Sequence, residues 1–329
     1  MGALALRRKT LENQVLGIHH VTAITDEPQR NVDFYAGILG LRFVKRTVNF
    51  DAPDTYHFYY GDELGRPGTI LTFFSWPGYP KGRRGTGQVS AIAFSIPESA
   101  LAYWQDRLSR NGVSVEGPIP RFDDQVLLFQ DPDGLSLELI AHRDGEAGTP
   151  WAEGPIPVEY ATRGFHSVTL SVAYAETTTK VLTNVLGFHE VGQLGNRRRY
   201  QVGESGPATL VDVLDLPNER RGQEAVGSVH HVAWRTATDE NQVAWRERIA
   251  EVGLRVTEIL DRNYFHSIYF REPSGVLFEI ATDQPGFAVD EDPAELGTHL
   301  KLPEWFESRR AELERVLPPI TIPTSEQNK

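Results

Sequence analysis

Two adjacent histidine pairs, His19-His20 and His230-His231, stand out in a chain with only ten histidines. Each pair opens an alternating apolar segment, Ile18 to Ile24 and Val229 to Trp234. Such alternation reads as a half-buried strand. Neighbours on a strand point to opposite faces, so one imidazole of each pair can enter a shared interior while the other needs solvent or a supporting role. Parity does not choose between them. Glu279 is the third outlier, a carboxylate inside the apolar run Val276-Leu-Phe-Glu-Ile-Ala281. Such a group is costly to bury unless it is paired or binds a cation. Two imidazoles and one carboxylate from three strands make a facial metal site with open positions. That donor set suits non-haem Fe(II), with Mn(II) as the competitor.

The segments that must position these residues repeat. Gly17-Ile-His-His-Val-Thr22 returns as Gly164-Phe-His-Ser-Val-Thr169 at an offset of 147, and Trp104 to Glu138 aligns with Trp245 to Glu279 at an offset of 141 without a gap. The second match brings Arg121 onto Arg262, Pro132 onto Pro273 and Gly134 onto Gly275. Each unit predicts a strand, a helix ended by a glycine (Gly40, Gly112, Gly187 or Gly253) and then short strands. The expected fold class is α+β: four βαβββ modules, each curling into half a cup, paired into two barrel-like cups. A break in pattern at Trp151 to Tyr160, around Gly154-Pro155-Ile156-Pro157, divides the chain. An N-terminal pair of modules spans 15–150 and a C-terminal pair spans 160–285. A helical tail, 286–329, carries one amphipathic helix expected at Pro303 to Val316.

The chemistry is not spread evenly over the repeats. The second unit has Ser90 and Ala91 where the fourth has His230 and His231, and the third has Ser167 where the first has His20. Glu138 holds the place of Glu279 with no histidine partners. The second and third units therefore read as scaffold, and the first and fourth must share one cup.

Gly17-Ile-His-His-Val-Thr22, Leu39-Gly-Leu-Arg-Phe-Val-Lys45, Val229-His-His-Val-Ala233 and Gly275-Val-Leu-Phe-Glu-Ile280 together resemble the vicinal oxygen chelate superfamily. The similarity is greatest to its hydroquinone-cleaving branch of ring-cleaving dioxygenases, over roughly residues 15–285. The resemblance implies Fe(II) held by the second histidine of each pair and by the last-strand acid, hence by His20, His231 and Glu279. It implies catalytic or supporting roles for His19, Thr22, His230, Arg262 and Tyr269. The implied reaction inserts O2 into a hydroquinone or catechol-type aromatic diol, and a homo-oligomer is compatible with it. Two rivals use the same fold. A glyoxalase-like metal-dependent lyase or isomerase usually presents four protein ligands, against the three persuasive ones here. A non-catalytic protein that binds small aromatics needs no metal.

Other candidates carry less. His266 is a possible pocket-lining residue, and His57 is open between core and pocket rim. His142, His189 and His299 read as exposed, and Arg83-Arg84 and Arg197-Arg198-Arg199 as solvated loops. The aromatic cluster from Tyr56 to Trp76 reads mostly as core, with part free to flank a flat ring.

Composition removes whole classes. With no cysteine, disulfides, thiolate metal sites and cysteine nucleophiles are excluded. A net charge of −12 over 329 residues disfavours nucleic acid as a partner. No apolar run approaches the ~20 residues of a membrane span. Arg7, Arg8 and Lys9 are not followed by an apolar signal core, so the cytoplasm is the expected location. No glycine-rich phosphate loop and no Gly-x-Ser-x-Gly elbow is present.

Overall fold

The computed structural model describes residues 14–143, 145 and 148–323. The basic stretch Met1–Asn13 lies outside them. The first module contains β1 (Ile18–Thr25), α1 (Pro28–Val32, continued by a π-helix at Asp33–Ile38), β2 (Arg42–Asn49), β3 (Ala52–Gly61) and β4 (Ile70–Ser75). The second has β5 (Gln88–Pro97), α2 (Leu101–Arg110), β6 (Glu116–Arg121), β7 (Asp124–Gln130) and β8 (Ser136–His142). The third has β9 (Phe165–Val172), α3 (Ala175–Lys180), β10 (His189–Leu194), β11 (Arg197–Gln201) and β12 (Leu210–Asp215). The fourth has β13 (Val229–Thr236), α4 (Asp239–Glu251), β14 (Leu260–Asp261), β15 (Phe265–Arg271) and β16 (Leu277–Pro285). The βαβββ grammar thus recurs four times.

These strands form two eight-stranded sheets. One runs β14-β15-β16-β13-β1-β4-β3-β2 and the other β10-β11-β12-β9-β5-β8-β7-β6. The first joins modules four and one, and the second joins three and two, so neither sheet is built from one half of the sequence. The seam in each is an antiparallel pair of opening strands, β1 with β13 and β5 with β9. Each opening strand also runs parallel to its own module's last strand, β1 to β4 and β13 to β16. The two connections that pass between the sheets pair with each other, Lys81 with Val226, Arg83 with Gln223 and Thr86 with Arg221.

Local chemistry fixes the elements. Gly40 ends the first helix with φ at 67°, and a Cβ there would lie 2.3 Å from Ile156 Cγ1; only glycine fits without strain. Thr238 caps α4 by accepting from the Asn241 amide. The sequence pattern puts Val243, Trp245 and Ile249 on the inner face of α4. In the structure Gln242, Trp245 and Ile249 are buried and Val243 is exposed. Gln242 turns inward because its amide donates to the carbonyls of His266 and Ile280, tying the helix across β15 and β16.

The tail packs against the body. Leu302, Leu313 and Leu317 join the main core, and Phe287 packs with Tyr59 and Tyr264. Lys45 is fully buried and pairs with Asp290 and Glu291. The single helix expected at Pro303 to Val316 is instead two, α5 (Glu304–Glu307) and α6 (Arg310–Val316). The chain turns at Ser308-Arg309, which lets both Phe306 and Leu313 reach the core. Among the described residues no helix is long and apolar enough to cross a membrane.

Candidate metal centre

Both histidine pairs sit at β-bulges. Across the seam Ile18 faces Trp234 and His20 faces Ala233, so His19 is the extra residue in β1. Thr22 faces His231 and Ala23 faces Val229, so His230 is the extra residue in β13. A bulge lets neighbouring side chains converge where a regular pleat would separate them. The imidazoles of each pair accordingly touch. His19 Nδ1 lies 2.9 Å from His20 Nδ1, and His230 Nδ1 lies 2.7 Å from His231 Nδ1. The companion sheet is bulged at the equivalent positions, Ser90 and His166. The irregularity therefore belongs to the fold, and the histidines exploit it.

The far nitrogens of His20 and His231 meet Glu279. The two Nε2 atoms are 3.2 Å apart, and Glu279 Oε2 lies 3.2 Å from His20 Nε2 and 2.8 Å from His231 Nε2. All three side chains are buried, Glu279 completely. Its Oε1 accepts from Ser267 Oγ, whereas Oε2 has no hydrogen bond. Burial alone would raise the Glu279 carboxyl. The facing imidazoles of His20 and His231 outweigh it and hold the group well below the usual carboxylate range. Burial in turn pushes His231 down. Two lone-pair nitrogens and a buried carboxylate oxygen, all within 4.8 Å of one another, are a donor set for a divalent metal. Among the described residues no fourth histidine or acid joins them.

The surrounding residues divide by position. Tyr269 is the direct cross-strand partner of Glu279. Its ring meets His231 edge-on at 5.6 Å between centroids. Arg262 Nε donates to Tyr269 Oη at 3.3 Å, the guanidinium lies over the Tyr269 ring, and Nη2 is 3.2 Å from Asp51 in the β2–β3 turn. Thr22 is fully buried and accepts from Thr72. His230 lies at the edge, its Nε2 3.8 Å from Glu224; burial and the neighbouring His231 push it down to about 3. His19 stands on the Nδ1 side of His20 and borders a separate recess of about 200 Å3 with Arg66 and Phe287. Burial and His20 hold its imidazole well below the ordinary range.

Sequence reasoning missed Ser267, Asp51, Glu224 and the hydroxyl of Thr72. The only available signal was Ser267's place two residues before Tyr269, on the same strand face. His57, left open between core and rim, hydrogen-bonds Thr72 and Tyr59 beside the site. His266 pairs through Nδ1 with Asp239 in the first turn of α4. His142 is only partly exposed and bonds Ser95. Arg197-Arg198-Arg199 is not a loop but part of β11, and Arg199 is buried because Asp212 and Asp124 neutralise it.

The companion cup shows the same frame with Ser167 and Ala91 in place of His20 and His231. Arg121 forks onto Glu138, with Nη2 2.9 Å from Oε1. In the histidine-bearing cup the matching Arg262 turns away to Tyr269 and Asp51, leaving Glu279 to the histidines. Cavities of about 760 and 1070 Å3 lie in the companion cup, while a recess of about 220 Å3 reaches His230.

A model of the Glyoxalase/Bleomycin resistance protein/Dioxygenase superfamily matches residues 17–139 and 164–280. The chain is 45% identical over 313 residues to MhqO of Bacillus subtilis (strain 168), named as a candidate ring-cleaving dioxygenase, covering 95% of this chain and 99% of that one. It is 38% identical over 322 residues to the chlorohydroquinone/hydroquinone 1,2-dioxygenase of Sphingobium indicum, covering 95% and 99%. A crystal structure of a candidate dioxygenase from Bacillus subtilis subsp. subtilis str. 168 superposes with a TM-score of 0.90 at 44% identity, again over 95% and 99%.

Proposed function

The chain belongs to the Glyoxalase/Bleomycin resistance protein/Dioxygenase superfamily, and from that premise we propose that it is an Fe(II)-dependent ring-cleaving dioxygenase acting on a hydroquinone-type aromatic diol. The observation that carries the reading is the convergence of His20 Nε2, His231 Nε2 and the unbonded Glu279 Oε2 in a buried cup. Those three side chains would hold the metal. When bound, Fe(II) supplies open positions for both reactants and the redox chemistry that O2 needs.

The protein's own part follows from its hydrogen bonds. Nε2 of His20 and of His231 must be unprotonated to ligate, so each Nδ1 carries the proton and donates to its bulge neighbour, His19 or His230. His230 then carries its proton on Nε2, directed towards Glu224. Tyr269 and Arg262 place a phenol and a guanidinium beside the cup, suited to steadying negative charge on a diol oxygen. Thr22 offers a hydroxyl from the same strand face as His20. The three-ligand set speaks against a glyoxalase-like lyase, and Mn(II) is the alternative metal for the same donors.

The test is oxygen uptake by anaerobically Fe(II)-loaded protein offered hydroquinone, methylhydroquinone and catechol in parallel. Uptake with hydroquinones that disappears in His20→Ala and Glu279→Ala supports the reading. Bound iron without uptake on any diol overturns it in favour of a lyase or a binding protein.

A further inference from the structure

Four side chains form one hydrogen-bonded line that runs from β3 through β4 to β1. Tyr59 Oη lies 2.9 Å from His57 Nδ1, His57 Nε2 lies 2.8 Å from Thr72 Oγ1, and Thr72 Oγ1 lies 2.8 Å from Thr22 Oγ1. The line ends at the metal centre, because Thr22 is the cross-strand partner of His231 and lies two residues beyond His20. Tyr59, Thr72 and Thr22 are buried. We propose that Tyr59, His57 and Thr72 are positioning residues that fix the Thr22 hydroxyl as a hydrogen-bond donor into the cup, towards an oxygen of the bound aromatic diol. The identity of that acceptor rests on the dioxygenase reading; the direction of the line does not.

The direction follows from counting protons. Burial and the nearby His20 and His231 hold His57 well below its ordinary range, so the ring is neutral, with one donor and one acceptor nitrogen. Among the described residues His57 Nδ1 is the hydrogen-bond partner of Tyr59 Oη. The phenol is otherwise packed against the rings of Tyr264 and Phe287. If Tyr59 accepted from His57, its own proton would be buried without an acceptor, a costly arrangement. Tyr59 therefore donates to Nδ1, and Nε2–H donates to Thr72. Thr72 donates to Thr22, and the proton of Thr22 is left for the cup.

Two measurements test the proposal. The first is 15N NMR of full-length, histidine-labelled, metal-free protein, with the His57 signals identified by their loss in His57→Gln. A protonated Nε2 and a bare Nδ1 are expected between pH 6 and 8, and Tyr59→Phe should move the Nδ1 resonance; a protonated Nδ1 overturns the line. The second compares hydroquinone binding to anaerobic Fe(II)-loaded protein with kcat and KM in air. Thr22→Val and His57→Leu should raise both Kd and KM about tenfold, the loss of one hydrogen bond to a charged oxygen, with a smaller change in kcat. His57→Gln, which keeps a donor near Nε2, should stay within about threefold of the parent. Unchanged binding in variants that keep their iron and melting temperature overturns the proposal; if His57→Leu does not fold, Tyr59→Phe decides it. Binding that follows this pattern without oxygen uptake removes the dioxygenase reading and leaves the line standing. Uptake with KM unchanged throughout does the reverse.

Discussion

His20 and His231 are 211 residues apart in the chain, yet their Nε2 atoms lie 3.2 Å apart. The seam between β1 and β13 makes this contact, and β16, parallel to β13, adds Glu279 to it.

Removing one of these donors should remove the metal. Glu279→Gln keeps the shape but not the charge, and Fe(II) affinity should fall at least about 100-fold, more than for loss of a supporting residue. Stripping iron from the parent protein should lower its stability by about 4 kcal/mol relative to a sample holding free metal at a thousand times Kd. Calorimetry with and without chelator checks both; a melting temperature indifferent to chelator contradicts them.

The bulge histidines should act through their neighbours. His19→Ala and His230→Ala leave the imidazoles of His20 and His231, respectively, without their Nδ1 partners. Iron affinity should drop roughly 10- to 100-fold while the protein stays folded. Metal titration followed by circular dichroism at fixed iron would expose a purely structural role, in which fold and affinity fail together.

Metal-free protein should lose stability in mild acid. His19, His57, His166, His230 and His231 all have folded values below the ordinary histidine range, chiefly through burial. The unfolded chain therefore binds more protons below about pH 6.5. Unfolding free energy should be flat above about pH 7.5, fall steadily from about pH 6.5 downward, and keep falling towards the His230 value of about 3. Glu279, held low, adds stability that is lost only below about pH 4.3. Urea denaturation in chelator at stepped pH measures this; a flat profile from pH 7.5 to 5 contradicts it.

In the companion cup, Arg121→Ala would strand Glu138 in a buried position. A loss of about 3 kcal/mol is expected. Iron content and oxygen uptake of the surviving folded protein should be unchanged. Replacing both partners by leucine should recover most of the stability, a double-mutant cycle that denaturant unfolding resolves.

The Asp51–Arg262 pair bridges modules one and four, but Asp51 is 75% exposed. Asp51→Ala should change stability by less than about 1 kcal/mol. Arg262→Lys should cost about tenfold or more in kcat/KM, because an ammonium cannot both lie flat on the Tyr269 ring and reach its hydroxyl. Equal activity of the lysine variant would return Arg262 to the role of a surface ion pair.

The fold was legible because the repeats were. Ser90-Ala91 in place of His230-His231, and Ser167 in place of His20, already separate a histidine-bearing pair of modules from the other pair. That partition correctly anticipates modules one and four in one sheet. The histidine pairs exposed the limit of period-two reasoning, because a bulge adds a residue that parity does not count. His57 and Thr72 were illegible for another reason. Their neighbours come from β1 and β4, whose lateral order is set by tertiary pairing and not by local pattern. Arg199 misled because a basic run looks solvated until its acids, Asp124 and Asp212, are brought in from other strands.

The crossed order of the modules also sets a timetable. The ribosome delivers His20 well ahead of His231, 211 residues further along the chain, and Glu279 comes later still. The β1 edge that must receive β13 waits unpaired through the synthesis of modules two and three, although their own sheet can close in the meantime. A chain that stops anywhere before β16 leaves the companion sheet without the His20–His231–Glu279 cluster, so metal binding there would report that synthesis has passed β16.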